Sequence, residues 1–182
     1  MDTLEQLRYP IGQDQLPEKI GMVNYADWIV TIRDFAWHVN DLVKELSSTE
    51  LAYIYRPEGW NIKQVVHHCA DSHMNALTRF KLALTEENPV IKPYKEALWA
   101  TFADATDDDL SASMKMLDGI QARWYTCLSK LTPRDFERSY FHPEQQALVP
   151  LGEALGHYDW HCQHHLAHIQ QALRYKNDFS NL

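Results

Sequence analysis

The stretch from Leu151 to Tyr175, LGEALGHYDWHCQHHLAHIQQALRY, decides the fold class of this chain. It contains no proline, and on a wheel of about 100° per residue its apolar side chains lie within roughly 60° of one direction. We therefore predict a long amphipathic helix whose apolar face packs in a hydrophobic core. The residues on this face are Leu151, Leu155, Tyr158, Cys162, Leu166, Ile169 and Leu173.

Three earlier segments have the same helical spacing of apolar residues. They cover about residues 18–46, 61–85 and 107–131. Asn61 followed by Gln64 resembles a capping box at the start of the second segment, and the acidic run at 107–109 suits the positive end of the third. Four long helices with long irregular connections predict an all-α fold, a four-helix bundle, whose core is a usual place for metal ligands from facing helices.

The remaining segments are predicted from proline and glycine. Pro10, Gly12 and Pro17 interrupt any periodicity, so residues 1–17 are expected to form an extended arm. Residues 86–106 form a long connection with a short helix at about 96–102, and residues 136–150 form a loop or a short hairpin. Without a linker or an internal repeat, residues 1–182 are predicted to be a single domain.

The run from Trp160 to His168 carries four histidines, and His157 lies just upstream. Histidines four residues apart on a helix place two imidazoles on one face, as two ligands of one divalent cation require. On the wheel, His165 lies about 40° and His161 about 80° from the core direction, whereas the other three lie about 100° to 140° away. His161 and His165 are therefore preferred over the pairs 157/161 and 164/168.

A third ligand has to come from another segment. The second helix offers His67, His68 and His73, and periodicity alone does not choose between them. His73 belongs to the apolar stripe, so we interpret it as a core histidine bonded to a backbone carbonyl or packed on an aromatic ring. The competing interpretation of the whole set is a solvated cluster near a helix C-terminus. Neither His-Glu-x-x-His nor Glu-x-x-His occurs, which leaves a mononuclear site.

Composition excludes several classes of protein. The formal net charge of −8 and the absence of a basic patch argue against nucleic-acid binding. Cys69, Cys127 and Cys162 form no Cys-x-x-Cys pair, which favours a reduced, cytoplasmic protein over a disulfide scaffold. No stretch approaches the roughly 18 apolar residues of a membrane span, and the acidic start lacks the apolar core of a signal peptide, so neither membrane insertion nor export is expected.

In addition, the chain resembles the DinB-like superfamily, and within it the YfiT-like metal-dependent hydrolases, which are related to bacillithiol transferases. The similarity covers most of the chain in ordered blocks. The blocks are Tyr9-Pro10-Ile11-Gly12, Gly59-Trp60-Asn61, Val65-Val66-His67-His68, Ala70-Asp71-Ser72-His73-Met74-Asn75, Arg79-Phe80-Lys81-Leu82, Ile91-Lys92-Pro93-Tyr94, Arg123-Trp124, His142-Pro143-Glu144, Trp160-His161 and His164-His165-Leu166-Ala167-His168-Ile169.

This resemblance implies a DinB-like four-helix bundle, a homodimer, and one divalent metal ion per chain, zinc first and nickel as the alternative. Carried over to this sequence, the metal ligands are His68, His161 and His165. The pair agrees with the helical wheel, whereas the choice of His68 over His67 rests on the resemblance alone. Three imidazoles leave an open coordination position, as in catalytic rather than structural sites.

These expectations favour two classes of function over a third, a protein-interaction module that exposes an aromatic groove. The first is an enzyme, a hydrolase or thiol S-transferase, that uses the metal to activate water or a low-molecular-weight thiol for reaction with a small-molecule substrate. The second is a non-catalytic metal-binding stress-response bundle. Side chains next to the ligands in the sequence are candidates for orienting them. These candidates are Gln64, Asp71, Tyr158 and Asp159.

Overall fold

The computed structural model describes residues 3–180. Four long helices form the body of the fold, so the all-α four-helix bundle predicted from the sequence is confirmed. The elements are α1 (Leu4–Arg8), α2 (Met22–Val43), α3 (Ser48–Leu51), α4 (Ile62–Thr85), α5 (Glu96–Trp99), α6 (Ser111–Leu128), β1 (Ser139–His142), β2 (Ala147–Pro150) and α7 (Leu151–Tyr175). Within residues 3–180, no helix combines the length and apolar character needed to cross a membrane.

The bundle is a ring of four helices. Helix α2 packs against α6 and α7, and α4 packs against the same two, so α2 and α4 occupy opposite corners. Phe35 of α2, Phe80 of α4 and Trp124 of α6 are fully buried between them. The rings of Phe80 and Trp124 meet edge to face at 5.1 Å. Because each such side chain contributes roughly 1.5–3 kcal/mol on burial, these contacts are a main source of bundle stability.

The helix termini follow from local hydrogen bonds. Helix α4 begins directly after Asn61, whose side chain accepts from the Gln64 amide while the Gln64 side chain accepts from the Asn61 amide, so the predicted capping box is present. Helix α2 begins at Met22, later than predicted, because Gly21 interrupts the helix and its amide donates to the Asn24 side chain. Helix α6 likewise begins after the acidic run, at Ser111.

The N-terminal arm differs from its prediction. Residues 4–8 are helical, because Thr3 and Gln6 form a capping box that the sequence analysis missed. Residues 9–21 are irregular and cross α7, where Trp160 Nε1 donates to the Gly12 carbonyl at 3.1 Å. Residues 1–2 of the predicted arm lie outside the described residues. The arm thus forms one wall over the C-terminal helix.

The connections hold the ends of the bundle. Residues 139–142 and 147–150 form the antiparallel hairpin that was one of two alternatives for this segment. Arg138, just before it, donates to the carbonyls of Ala83 and Glu86 and so satisfies the C-terminal end of α4. The short helix α5 covers 96–99, within the predicted range, whereas α3 at 48–51 was not predicted.

Candidate metal centre

Three histidines meet where α4 and α7 face each other. His68 comes from the second turn of α4, and His161 and His165 lie one turn apart on α7. One ring nitrogen of each lies within 4.8 Å of the other two, and Nε2 of His68 is 3.3 Å from Nε2 of His161. With metal–nitrogen bonds of 2.0–2.1 Å, two ligands of a tetrahedral zinc ion are about 3.4 Å apart. The spacing therefore suits one small cation.

The local structure explains how these rings converge. The cap at Asn61 fixes the start of α4 and directs His68 toward α7. The indole of Trp60 covers His68 with a ring-to-ring distance of 4.8 Å, and the rings of His161 and His165 are 4.4 Å apart. All three histidines are buried. The bundle thus holds them in place through packing on both helices.

Burial also sets their charge. Desolvation is the main cause that lowers the pKa of His68 to about 4, and it lowers the pKa values of His161 and His165 well below 6.5. Neighbouring histidines add to the effect, because a second positive charge nearby is unfavourable. At pH 7 the three imidazoles are therefore neutral. A neutral imidazole keeps the lone pair that binds a metal ion.

The residues present fit a divalent cation. Nδ1 of His165 is buried and has no hydrogen-bond partner in the described part of the chain, which is costly unless a further ligand or solvent pairs with the ring. Three imidazole nitrogens suit zinc, nickel or copper better than the oxygen-seeking magnesium and calcium. The three histidines also line a cavity of about 550 Å³, within the range of small-molecule sites.

The other two histidines of α4, His67 and His73, are not part of the converging group. His67 bonds Ser113 Oγ at 2.7 Å and the Asp107 carbonyl at 3.0 Å, so it connects α4 to the start of α6. His73 is fully buried, stacks on Phe35 at 5.0 Å and bonds the side chain of Gln121. Its interpretation as a core histidine on an aromatic neighbour agrees with this packing, although its hydrogen-bond partner is a side-chain amide and not a backbone carbonyl.

The outer histidines of α7 are more buried than the wheel indicated. His164 and His168 point away from the apolar face, yet they are only 7% and 2% exposed. Nε2 of His168 donates to the Arg8 carbonyl at 3.1 Å, and the His168 ring stacks on that of Tyr55 with their centres 3.7 Å apart. The competing interpretation of a solvated cluster is therefore wrong for these two, because the arm and the Tyr55 loop cover that side. His157 is exposed and pairs with Asp14.

The side chains that hydrogen-bond the ring nitrogens of the cluster were not among the orienting candidates. In the described chain, none of those candidates bonds a ring nitrogen of the three histidines. Instead, Ser72 Oγ lies 3.4 Å from His161 Nε2, and His73 Nε2 lies 3.4 Å from His161 Nδ1. The spacing of Ser72 four residues after His68 was the available signal.

The fold and the histidine cluster define the class to which this chain belongs. A family model for the DinB superfamily matches residues 34–169, and the chain is a member of that superfamily. Among its relatives is a protein of Bacillus subtilis, YfiT, which is named as a candidate metal-dependent hydrolase. The two are 40% identical over 172 residues, which cover 94% of this chain and 97% of YfiT.

Two further comparisons agree. A relative in Oceanobacillus iheyensis, also named as a candidate metal-dependent hydrolase, is 41% identical across 93% of this chain and 98% of its own. The solved structure of Bacillus subtilis YfiT, described as having an unusual four-helix bundle topology, superposes with a TM-score of 0.89 over 93% of this chain and 97% of that one. The predicted resemblance to YfiT-like proteins is thus confirmed.

Proposed function

We propose that this protein is a metal-dependent enzyme in which His68, His161 and His165 hold one divalent cation. The observation that carries the proposal is the convergence of three buried imidazoles at one cavity. The metal-dependence in the names of its relatives supports it. Zinc is the first choice and nickel the alternative, because both bind imidazole.

The reaction that we propose is hydrolysis or thiol S-transfer on a small molecule. A divalent cation on three imidazoles supplies Lewis-acid chemistry, lowering the pKa of a water or thiol bound at its open position. The chain keeps the three rings neutral by burial and provides a hydroxyl, that of Ser72, beside His161. The indole of Trp60 and the arm residues Arg8 and Tyr9 line the same cavity.

A non-catalytic metal-binding bundle, active in a stress response, is the alternative. One observation favours it, because an ion held by His68 on α4 and by two histidines on α7 would link two helices. Such a link would stabilise the native state by the free energy of metal binding. The two functions differ in whether any substrate is turned over.

The deciding experiment is a turnover screen with protein loaded with zinc or nickel. Low-molecular-weight thiols are combined with alkyl halide and epoxide electrophiles in one arm, and ester and amide substrates are tested in the other. We expect a reaction that is lost in His165→Ala and in metal-free protein but is retained in His38→Gln, which alters an exposed histidine. A metal-dependent gain in melting temperature without any turnover would favour the structural alternative.

We extend the proposal to the assembly and location of the protein. The family resemblance suggests a homodimer, which sedimentation of untagged protein tests. Three unpaired cysteines suit a reducing compartment and hence the cytoplasm.

A further inference from the structure

We propose that the cavity beside the three histidines binds a small molecule with a negative charge, and that Arg79 receives that charge. Three guanidinium groups line the cavity, those of Arg8, Arg56 and Arg79. Within residues 3–180, none of them lies within 4.0 Å of a carboxylate oxygen. In a chain of net charge −8, this is a local excess of unpaired positive charge.

The position of Arg79 suits a group that holds a substrate next to the metal cluster. It follows His68 by eleven residues on α4, so the two lie about 20° apart around the helix and about 16 Å apart along it. Helical side chains lean toward the N-terminus, and this brings the guanidinium back toward the cluster. Arg79 Nη1 donates to the Tyr158 hydroxyl at 3.3 Å, and the Tyr158 ring is 5.9 Å from that of His161.

In the described chain, Arg79 forms no ion pair with a carboxylate, so its guanidinium can bind a negatively charged ligand. Glu58 and Glu96 also line the cavity, but in the described part of the chain neither carboxylate lies within 4.0 Å of the Arg79 guanidinium. Nε of Arg79 is buried without a partner in the described chain, and Nη1 donates to a neutral hydroxyl, that of Tyr158. An ionised carboxylate or phosphate on the substrate would provide the charge-assisted partner that the protein does not.

Glutarate and its neutral analogue glutaramide test this inference by calorimetric titration at pH 7. The assignment of this cavity as a substrate site rests on the proposed function. The titration uses metal-free protein, so its result can be interpreted even if the protein binds no metal. We expect glutarate to bind and glutaramide not to bind. Arg79→Gln should weaken glutarate binding about 10-fold or more, with part of it recovered in Arg79→Lys.

The matched control is Arg33→Gln, which removes an exposed arginine that already pairs with Asp34. It should bind glutarate like the wild type. The inference is overturned if glutarate does not bind, if glutaramide binds equally well, or if Arg79→Gln retains wild-type affinity.

A second, independent observation concerns a buried chain of side chains behind His161. Gln121 Nε2 lies 2.7 Å from His73 Nδ1, and His73 Nε2 lies 3.4 Å from His161 Nδ1. Gln121 and His73 are 1% and 0% exposed, and Oε1 of Gln121 has no partner in the described chain. Cys162 Sγ, 3.9 Å from His73 Nε2, is at most a weak competitor.

The direction of these hydrogen bonds decides which nitrogen of His161 carries hydrogen. If the Gln121 amide nitrogen donates to His73, then His73 must donate from Nε2 to Nδ1 of His161. The hydrogen of His161 then sits on Nε2, which faces His68 and could not bind a metal. A half-turn of the amide exchanges its oxygen and nitrogen in nearly the same space and reverses the whole chain.

We infer that Gln121 is a positioning residue that sets the tautomer of His161 through His73. With its oxygen toward His73, Gln121 accepts from Nδ1–H of His73, and Nε2 of His73 accepts from Nδ1–H of His161. Nε2 of His161 is then left with its lone pair, to which the Ser72 hydroxyl can donate at 3.4 Å before a metal binds. Outer hydrogen bonds of this kind fix the orientation and basicity of ligand histidines.

The test compares Gln121→Glu, which accepts in the required direction, with Gln121→Met, which has similar volume and no amide. Chelator competition should show metal affinity in Gln121→Met that is about 10- to 100-fold lower. Gln121→Glu should restore the wild-type value or exceed it. Nitrogen-15 spectra of metal-free protein should show His161 with hydrogen on Nδ1 in the Glu variant.

A purely structural role for Gln121 would give a different pattern. The melting temperature of metal-free Gln121→Met would then fall while its metal affinity stayed at the wild-type value, and that result would overturn the inference. A His161 with hydrogen on Nε2 in Gln121→Glu would overturn it as well. The spectra decide the matter even if the wild type binds no metal.

Discussion

His161→Ala is expected to remove the metal from a protein that otherwise holds about one ion per chain, the stoichiometry of a mononuclear site. The same is expected of His68→Ala and His165→Ala. Loss of a direct ligand should cost more than the roughly 10- to 100-fold that follows loss of an outer hydrogen-bond partner. Mass spectrometry of untagged protein measures the content directly, because a polyhistidine tag would itself bring nickel.

The matched control for this series is His164→Ala. His164 is as buried as the three proposed ligands, lies on α7 together with His161 and His165, and lines the same cavity, but it is outside the group of converging nitrogens. The His164→Ala protein should keep about one metal ion per chain. Equal loss in His164→Ala, or a metal-free wild type, would refute the assignment of the ligands and remove the basis of the proposed chemistry.

Metal-free protein is expected to unfold steeply on mild acidification. Burial lowers the pKa of His68 and His164 to about 4 and that of His73 and His168 to about 3. The unfolded chain takes up protons near pH 6.5, so between pH 6.5 and 4 it binds more protons than the folded protein. The free energy of unfolding therefore decreases as the pH is lowered through this range, by about 1.4 kcal/mol per pH unit for each such histidine.

Urea titrations monitored by circular dichroism between pH 8 and pH 5 measure this slope. His168→Gln should make this slope shallower by the equivalent of about one bound proton. The glutamine amide would still donate to the Arg8 carbonyl, but it does not titrate. His38→Gln, which changes an exposed histidine, is the matched control. A free energy of unfolding that stays constant from pH 7 to pH 5 would contradict the expectation.

Much of the bundle follows from periodicity. The apolar stripes predicted the long helices, and the Asn61–Gln64 cap predicted the start of α4, because both are local properties of the chain. The wheel also ranked His161 and His165 above the other α7 histidines. These two residues do face His68 in the structure.

What the sequence did not reveal depends on contacts between distant segments. A wheel describes one helix in isolation, so it could not show that the arm and Tyr55 bury His164 and His168. Periodicity did not separate His67 from His68, which are adjacent, because the partners of His67 come from the start of α6. Gln121 was missed because a single glutamine on a helix has no pattern of its own.

The crossing of the N-terminal arm over α7 bears on how this protein can be handled. Gln171 donates to the carbonyls of both Leu7 and Tyr55, so one side chain joins the arm and the Tyr55 loop into a common wall of the cavity. A fusion partner attached ahead of the arm would therefore pull on the same wall that shapes the cavity. For crystallography or ligand screening, a partner ahead of the arm should therefore be cleaved off before the cavity is studied.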